Sequence, residues 1–159
     1  MLFHIDFNNR VHDHSSSAIP QTTERARAVD RTDRASYRTQ TVKIFALSDP
    51  HLALGTPGKT MDVFGDHWRE HHRTIEREWK QIVTDDDLVL VPGDISWAMK
   101  VPGAQPDLNF LGRLPGRKVL LKGNHDYWWA SANKVRKAVP DGMYVVHGDA
   151  IAIDDAVLI

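Results

Sequence analysis

Three short apolar runs, each closed by a polar turn, constrain the fold of this chain more than any other feature. The runs are residues 42–47, 88–91 and 118–122, and they are rich in Val, Ile and Leu. Short apolar runs that stop at a turn are typical of strands buried inside a sheet. We therefore predict three interior strands.

The segments between these runs predict helices. Residues that recur at a three-four spacing predict the inner face of the first helix: Trp68, His72, Ile75, Trp79 and Ile82. Residues 107–114 predict a second helix, with Leu108, Phe110 and Leu111 on its inner side, and residues 130–138 predict a third. Alternation of strand and helix predicts an α/β layered fold with right-handed crossovers and a largely parallel sheet.

The end of the chain has a different pattern. Residues 143–146, 151–154 and 156–159 are short apolar runs separated by polar turns, and they predict a meander of close strands. The last run reaches Ile159 without a turn or a polar cap. Because an exposed strand edge needs a partner or protection, we expect further chain to follow and residues 41–159 to be the N-terminal part of a domain.

Residues 1–40 differ from the rest in composition, since they contain Arg but neither Gly nor Lys. Ser15–Ser17, followed by Pro20, is typical of a loop or of disorder. Acidic residues throughout the segment argue against a mitochondrial transit peptide. We expect a disordered N-terminal arm, or translated sequence upstream of the true start.

The overall composition excludes several classes of protein. With 20 basic and 21 acidic residues, the net charge of -1 gives no basic footprint for nucleic acid or an anionic membrane. No apolar run approaches the roughly 20 residues of a membrane helix, and no secretory signal is evident, so we expect a cytoplasmic protein. The chain has no Cys and nine His, so a metal would be held by nitrogen and oxygen ligands.

Polar groups with metal-binding chemistry follow each predicted strand. In chain order, the three turns are Asp49-Pro50-His51, Gly93-Asp94 and Gly123-Asn124-His125-Asp126. Because ligands of α/β sheets collect outside the carboxyl ends of the strands, we expect one cleft to contain all three turns. Asp49 and His51 are two residues apart, so in an extended chain they point to the same side.

Each side chain suits a role at a site with two metal ions. The two oxygens of Asp94 could bridge the ions, and Asn124 offers a neutral oxygen. His125 could neutralise developing charge or donate a proton, and Asp126 could accept its ring N–H and orient it. Two ions about 3.5–4 Å apart would clamp a phosphate while a bridging water attacks in line.

These motifs resemble the first three motifs of the calcineurin-like metallophosphoesterase superfamily. Residues 93–99 and 123–129 are also similar to a bacterial branch of predicted phosphohydrolases, and the resemblance covers about residues 42–159. It implies a layered α-β-β-α sandwich of two mixed sheets flanked by helices.

The resemblance also implies the site. Asp49 and His51 would bind the first of two divalent ions, Asp94 would bridge, Asn124 would bind the second, and His125 would be the catalytic imidazole. The ions would be manganese, iron or zinc. The implied activity is hydrolysis of a phosphate mono- or diester.

Two alternatives stay open. The superfamily has two later motifs, Gly-His and Gly-His-x-His, which supply three further ligands, and this chain contains neither. A catalytically impaired remnant that binds at most one metal is therefore the first alternative. A nuclease of the same superfamily is the second, which the near-zero net charge disfavours. The substrate and the oligomeric state are not predicted.

Other His and aromatic residues have a structural interpretation that we favour. His67, His71 and His72 have a spacing that can bind a metal on one helical face, but we expect a solvated face because no further ligand is evident.

Four large side chains after the second and third motifs are expected to pack in the core rather than line the mouth of the site: Trp97, Met99, Trp128 and Trp129.

Overall fold

The computed structural model describes residues 3–5, 42–153 and 156–158. Its central feature is a sheet of five strands that lie side by side in chain order: β1 (Phe3–Ile5), β2 (Ile44–Ala46), β3 (Leu88–Val91), β4 (Arg117–Leu120) and β5 (Met143–Val145). β1 runs antiparallel to β2, whereas the four strands from β2 to β5 are parallel to one another. The prediction of an α/β fold with a largely parallel sheet is therefore confirmed.

The three predicted interior strands are β2, β3 and β4, which are adjacent and in register. Ala46 pairs with Leu90, and Leu90 pairs with Val119. Successive side chains of a strand point to opposite faces of the sheet, and here both faces are covered. Val89 and Leu88 are each almost completely buried, although they face different clusters of the core. This is why the runs are apolar at nearly every position.

Three α-helices connect or follow the strands: α1 (His71–Ile82), α2 (Val101–Gly112) and α3 (Ala132–Arg136). Short 3-10 turns at Met61–Phe64 and Asp66–Trp68 precede α1. The predicted inner face of α1 is confirmed at Trp79, which is 1% exposed and donates its indole N–H to the carbonyl oxygen of Pro115. It is wrong at its ends, because Trp68 lies in a 3-10 turn and Ile82 is 44% exposed.

The predicted start of α2 was also wrong, since the helix begins at Val101 instead of Asp107. Pro102 lies in its first turn, where the missing N–H has no helical partner to lose. Pro106 lies inside the helix, where a proline normally ends or kinks one, so the sequence pattern placed the start too late. The predicted inner residues Leu108, Phe110 and Leu111 are buried, as expected.

The core lies on both faces of the sheet. A large cluster joins β3 and β4 to α1 and α2 on one face, through residues such as Val91, Leu120, Trp79 and Leu108. On the other face, a smaller cluster of Leu88, Val119, Val146 and Ile153 joins the sheet to a hairpin. The described residues thus contain three layers of the expected sandwich: helices, a sheet and a second sheet.

The hairpin consists of β6 (Ile151–Ile153) and β7 (Ala156–Leu158), which pair antiparallel. The predicted meander was therefore wrong for residues 143–146, because β5 joins the parallel sheet next to β4. Within the segment expected to be an arm, Phe3–Ile5 forms β1. Residues 6–41 lie outside the described residues, so the expectation for them stays a prediction. Among the described residues, no helix is both long and apolar enough to cross a membrane.

Candidate metal centre

The turns after β2 and β3 run side by side at the carboxyl edge of the sheet. The N–H of Asp49 donates to the carbonyl oxygen of Gly93 at 3.3 Å, and the N–H of His51 donates to that of Asp94 at 3.0 Å. Parallel pairing continues beyond the turns with a bridge between Leu52 and Ser96. The backbone itself therefore holds the first two motifs together.

The turn after β4 reaches the same point. The N–H of His125 donates to Oδ1 of Asp94 at 2.9 Å. The close approach of the turns after β3 and β4 depends on Gly93 and Gly123. A Cβ added at Gly93 would lie 2.3 Å from the nitrogen of Gly123, and one added at Gly123 would lie 2.1 Å from Oδ1 of Asp94. The absence of a side chain at Gly93 and Gly123 therefore lets the turns after β3 and β4 approach each other.

The backbone of the candidate ligands is in the left-handed region. Asp49 has a φ of 55°, His51 of 42° and Asp94 of 51°, and among the described residues Glu70 is the only other non-glycine with a positive φ. Our prediction that an extended chain aligns Asp49 and His51 was therefore wrong. Non-glycine residues adopt this conformation at an energetic cost, and such residues cluster at functional sites.

Three of the predicted ligands converge on one point. One ligand atom each from Asp49, His51 and Asp94 lies within 4.8 Å of the other two. Nε2 of His51 is 3.9 Å from Oδ1 of Asp49 and 3.9 Å from Oδ2 of Asp94. An ion bonded to two ligands at about 2.1 Å holds them about 3–4 Å apart, so these side chains fit a divalent metal.

Burial and charge also favour a cation at this point. The side chain of Asp94 is 9% exposed and that of His51 15% exposed, whereas that of Asp49 is 58% exposed. Two carboxylates held this close repel each other unless a positive charge lies between them. The mixture of carboxylate oxygen and imidazole nitrogen suits manganese, iron or zinc.

Comparison with known proteins identifies the family. The sequence pattern of the calcineurin-like phosphoesterases matches residues 42–155, which include all three motifs. The chain belongs to the calcineurin-like phosphoesterase family. The resemblance inferred from the motifs is therefore confirmed.

Two individual proteins are similar to this chain. Gene 66 protein of Mycobacterium phage L5 is 39% identical over 61 residues, which are 38% of this chain and 29% of the phage protein. A crystal structure of a protein of unknown function from Aquifex aeolicus has 19% sequence identity and a TM-score of 0.45, and the match covers 72% of this chain and 56% of that one.

Asp126 has partners other than the one expected for it. Its carboxylate is fully buried, and Oδ2 accepts the N–H of Gly123 at 2.9 Å. Oδ1 accepts the N–H of Ile95 at 2.8 Å and the indole N–H of Trp128 at 2.9 Å, with the N–H of Ser96 at 3.3 Å. Among the described residues, no hydrogen bond joins Asp126 to the ring of His125. The expected orienting contact was therefore wrong, and the carboxylate instead ties the turn after β4 to the turn after β3.

His125 lies beside the three converging ligands. Its half-buried ring is 6.1 Å from the ring of His51 and 6.0 Å from that of Trp97, measured between ring centres. Trp97 stacks on His51 at 5.0 Å, so it forms a wall of the site and the expectation of simple core packing was wrong for it. Asn124 is exposed and lies in the turn between Gly123 and His125.

The remaining large side chains after the motifs divide into two kinds. Trp128 and Trp129 are 1% and 3% exposed, so their predicted place in the core is confirmed. Met99 is 57% exposed, so its predicted core packing was wrong.

Sequence reasoning missed His71 as a support of the site. Its ring is half-buried, with Nδ1 3.1 Å from the carbonyl oxygen of Trp68 and Nε2 2.8 Å from that of Pro50. Pro50 is the residue between the candidate ligands Asp49 and His51. The expected solvated face was therefore wrong at His71. Its spacing from His67 had suggested only metal binding, and no local pattern marks a contact with a turn so far away in the chain.

Asp107 was missed in the same way. Its fully buried carboxylate accepts the N–H of Leu54 at 2.7 Å and the hydroxyl of Ser96, so α2 holds the segments that follow the first and second motifs. Burial raises the pKa of Asp107, although these two hydrogen bonds oppose the shift. The helical pattern indicated only that Asp107 lies in or next to a helix.

Proposed function

We propose that this chain hydrolyses a phosphate mono- or diester at two divalent metal ions bound by Asp49, His51, Asp94 and Asn124. The observation that carries the proposal is the convergence of Asp49, His51 and Asp94 at the carboxyl edge of the sheet. Membership of the calcineurin-like phosphoesterases supports the reaction class. The ions would be manganese, iron or zinc.

The residues would divide the work as follows. Divalent ions held here would polarise the phosphate and make a water molecule a stronger nucleophile. Asp94 would bridge the two ions, and two contacts support this role: Oδ2 lies 3.9 Å from Nε2 of His51, and Oδ1 accepts the N–H of His125 in the turn that carries Asn124. His125 has a ring next to these ligands, from which it would stabilise developing charge or donate a proton to the leaving oxygen.

Asp126 would act as a positioning residue. Its two carboxylate oxygens accept hydrogen bonds from the turns after β3 and β4, and those turns carry Asp94, Asn124 and His125. Side chains that are already fixed in position lose little conformational entropy on reaching the transition state, and this lowers the barrier to the reaction.

A site with one metal ion is a second candidate. Among the described residues, one cluster of His, Asp and Glu has the geometry of a metal site, and its members are the proposed first-ion ligands and the bridging carboxylate. Asn124 adds a single neutral oxygen on the other side. One bound ion without turnover would favour the impaired form over the dinuclear enzyme.

Metal titration and hydrolysis test both candidates. Metal-free protein would be titrated with Mn²⁺ by calorimetry and assayed with p-nitrophenyl phosphate and bis(p-nitrophenyl) phosphate. We expect Asp94→Asn to lose metal binding and turnover. We expect His125→Ala to keep metal binding and to lose turnover by about 10²–10⁴-fold.

Asp86→Asn provides the control, because Asp86 is exposed and precedes the amino end of β3, whereas the motifs follow the carboxyl ends of the strands. It should match the wild type in both measurements. If Asp94→Asn and His125→Ala also matched the wild type, the assignment of the site would be wrong. A stoichiometry of two or of one Mn²⁺ per chain decides between the two candidates.

A further inference from the structure

A pocket of about 300 Å³ opens directly beside the metal centre. Its lining is formed by the turn after β2, the 3-10 turn and the start of α1: Leu47, Ser48, Asp49, Pro50, His67, Trp68, His71, Thr74 and Ile75. Asp49 therefore belongs both to this pocket and to the three converging ligands. A molecule held at the metal centre would therefore lie next to the pocket.

The pocket has an apolar interior and a polar rim. Leu47 and Pro50 are buried, Trp68 and Ile75 are half-buried, and these four residues supply hydrocarbon and aromatic surface. Ser48 and Thr74 are exposed. An apolar interior gains free energy when it takes an apolar group out of water, whereas the rim tolerates a polar connection to that group.

His71 adds aromatic surface but no free hydrogen-bonding atom. Both of its ring nitrogens are already bonded to backbone carbonyl oxygens, those of Trp68 and Pro50. Its ring also meets the ring of Trp68 edge to face at 5.4 Å. The pocket thus presents two fixed aromatic rings, which suits a flat ring in a ligand.

We propose that this pocket binds an aromatic ring carried by the phosphoester substrate while the phosphate occupies the metal centre. The inference rests on the proposed function, which it deepens by naming a substrate class. The size agrees, because a cavity of roughly 150 Å³ holds one benzene ring. One or two fused rings joined to a phosphate through a short link would fill the space.

Binding of two phosphonates to the Mn²⁺-loaded protein tests the proposal without relying on turnover. Phenylphosphonate and methylphosphonate carry the same charged group and differ only in the ring. Calorimetry should show that phenylphosphonate binds at least about 10-fold more tightly to the wild type, because burial of a ring in a pocket of this kind is favourable.

Two Trp substitutions on α1 test whether the preference for phenylphosphonate arises in this pocket. Thr74→Trp places a large side chain in the pocket from an exposed helical position, so the fold should persist, and we expect the affinity ratio to fall to about one. Gln81→Trp is the matched control, since Gln81 is exposed on the same helix and does not line the pocket. It should keep the wild-type ratio.

The outcomes separate this proposal from the proposed function. Equal affinity of the wild type for both phosphonates, or an unchanged ratio in Thr74→Trp, would overturn the aromatic subsite even if phosphoesters are hydrolysed. A preference for phenylphosphonate that Thr74→Trp removes supports the subsite, and hydrolysis is then judged separately by the p-nitrophenyl assays.

Discussion

Nε2 of His71 lies 2.8 Å from the carbonyl oxygen of Pro50, the residue between two of the proposed metal ligands. Nδ1 of the same ring lies 3.1 Å from the carbonyl oxygen of Trp68. Both ring nitrogens thus contact backbone carbonyl oxygens, and His71 is a clamp that joins the start of α1 to the metal-binding turn.

We predict that His71→Ala weakens Mn²⁺ binding by about 10–100-fold, because groups that orient a ligand turn typically have effects of this size. Calorimetric titration of the metal-free protein measures the change. His72→Ala is the control. Burial, followed by the charge of His71, holds the pKa of His72 below its ordinary value, and its ring packs against Phe110. Equal Mn²⁺ affinity of the two variants would contradict the clamp.

We predict that Gly123→Ala disrupts the centre, because the added Cβ would lie 2.1 Å from Oδ1 and 2.2 Å from the nitrogen of Asp94. Neither atom can move without shifting a ligand, so Mn²⁺ affinity should fall by more than about 10-fold and stability by about 2–4 kcal/mol. Gly148→Ala is the control, because Gly148 has a φ of +69° but a Cβ added there would meet no atom within 4 Å. This variant should lose only about 1 kcal/mol of stability and keep its affinity for Mn²⁺. Calorimetry and thermal melts measure both effects.

We predict that Asp126→Ala lowers the free energy of unfolding by about 2–5 kcal/mol. The change leaves buried donors without an acceptor, among them the N–H groups of Gly123 and Ile95 and the indole of Trp128. Urea denaturation measures the loss. Asp86→Ala, at an exposed position, should stay within about 0.5 kcal/mol of the wild type. A similarly small change in Asp126→Ala would show that these bonds contribute little.

We predict that the free energy of unfolding rises in alkaline solution, because Lys118 is buried. Burial lowers its pKa from 10.5 to about 8, although the charge of Asp85 opposes the shift. Below pH 8 the folded state bears the full cost of a buried charge. Between pH 8 and 10.5 the folded chain has lost a proton that the unfolded chain still binds, so stability rises with pH in that window.

Replacement by an apolar residue should remove both effects. We expect Lys118→Met to gain about 1–3 kcal/mol at pH 7 and to lose the rise at alkaline pH, as measured by urea denaturation from pH 6 to pH 10.5. Lys122→Met is the control, because Lys122 is exposed and lies four residues after Lys118. It should change neither the stability at pH 7 nor the rise in stability at alkaline pH. A loss of stability in Lys118→Met would show that the hydrogen bond from its ammonium to the carbonyl oxygen of Leu114 outweighs the burial.

Local pattern was sufficient for the parallel strands of the sheet and for the polar turns that follow them. The runs that became β2, β3 and β4 are apolar because both of their faces are covered, and a parallel sheet brings their carboxyl ends to one edge. The turns after these strands meet at that edge, and Asp49, His51 and Asp94, the candidate ligands named from their residue types, converge there. The same reasoning failed at Pro106, where local preference favours a helix end and packing of Leu108 and Leu111 keeps the helix intact.

The chemistry of the metal ligands, their order along the chain and the sheet that carries them follow from the sequence, since each depends on residue type and on patterns a few residues long. Tertiary structure alone decided how those ligands are held. Contacts between segments far apart in the chain produce the clamp from His71 and the hydrogen bonds that Asp126 accepts from the N–H groups of Ile95 and Ser96. The left-handed turn at Asp49 and His51 likewise bonds to the turn at Gly93 and Asp94. Such contacts leave no local periodicity, because the partner of each group is set by packing and by the need of every buried polar group for a hydrogen bond.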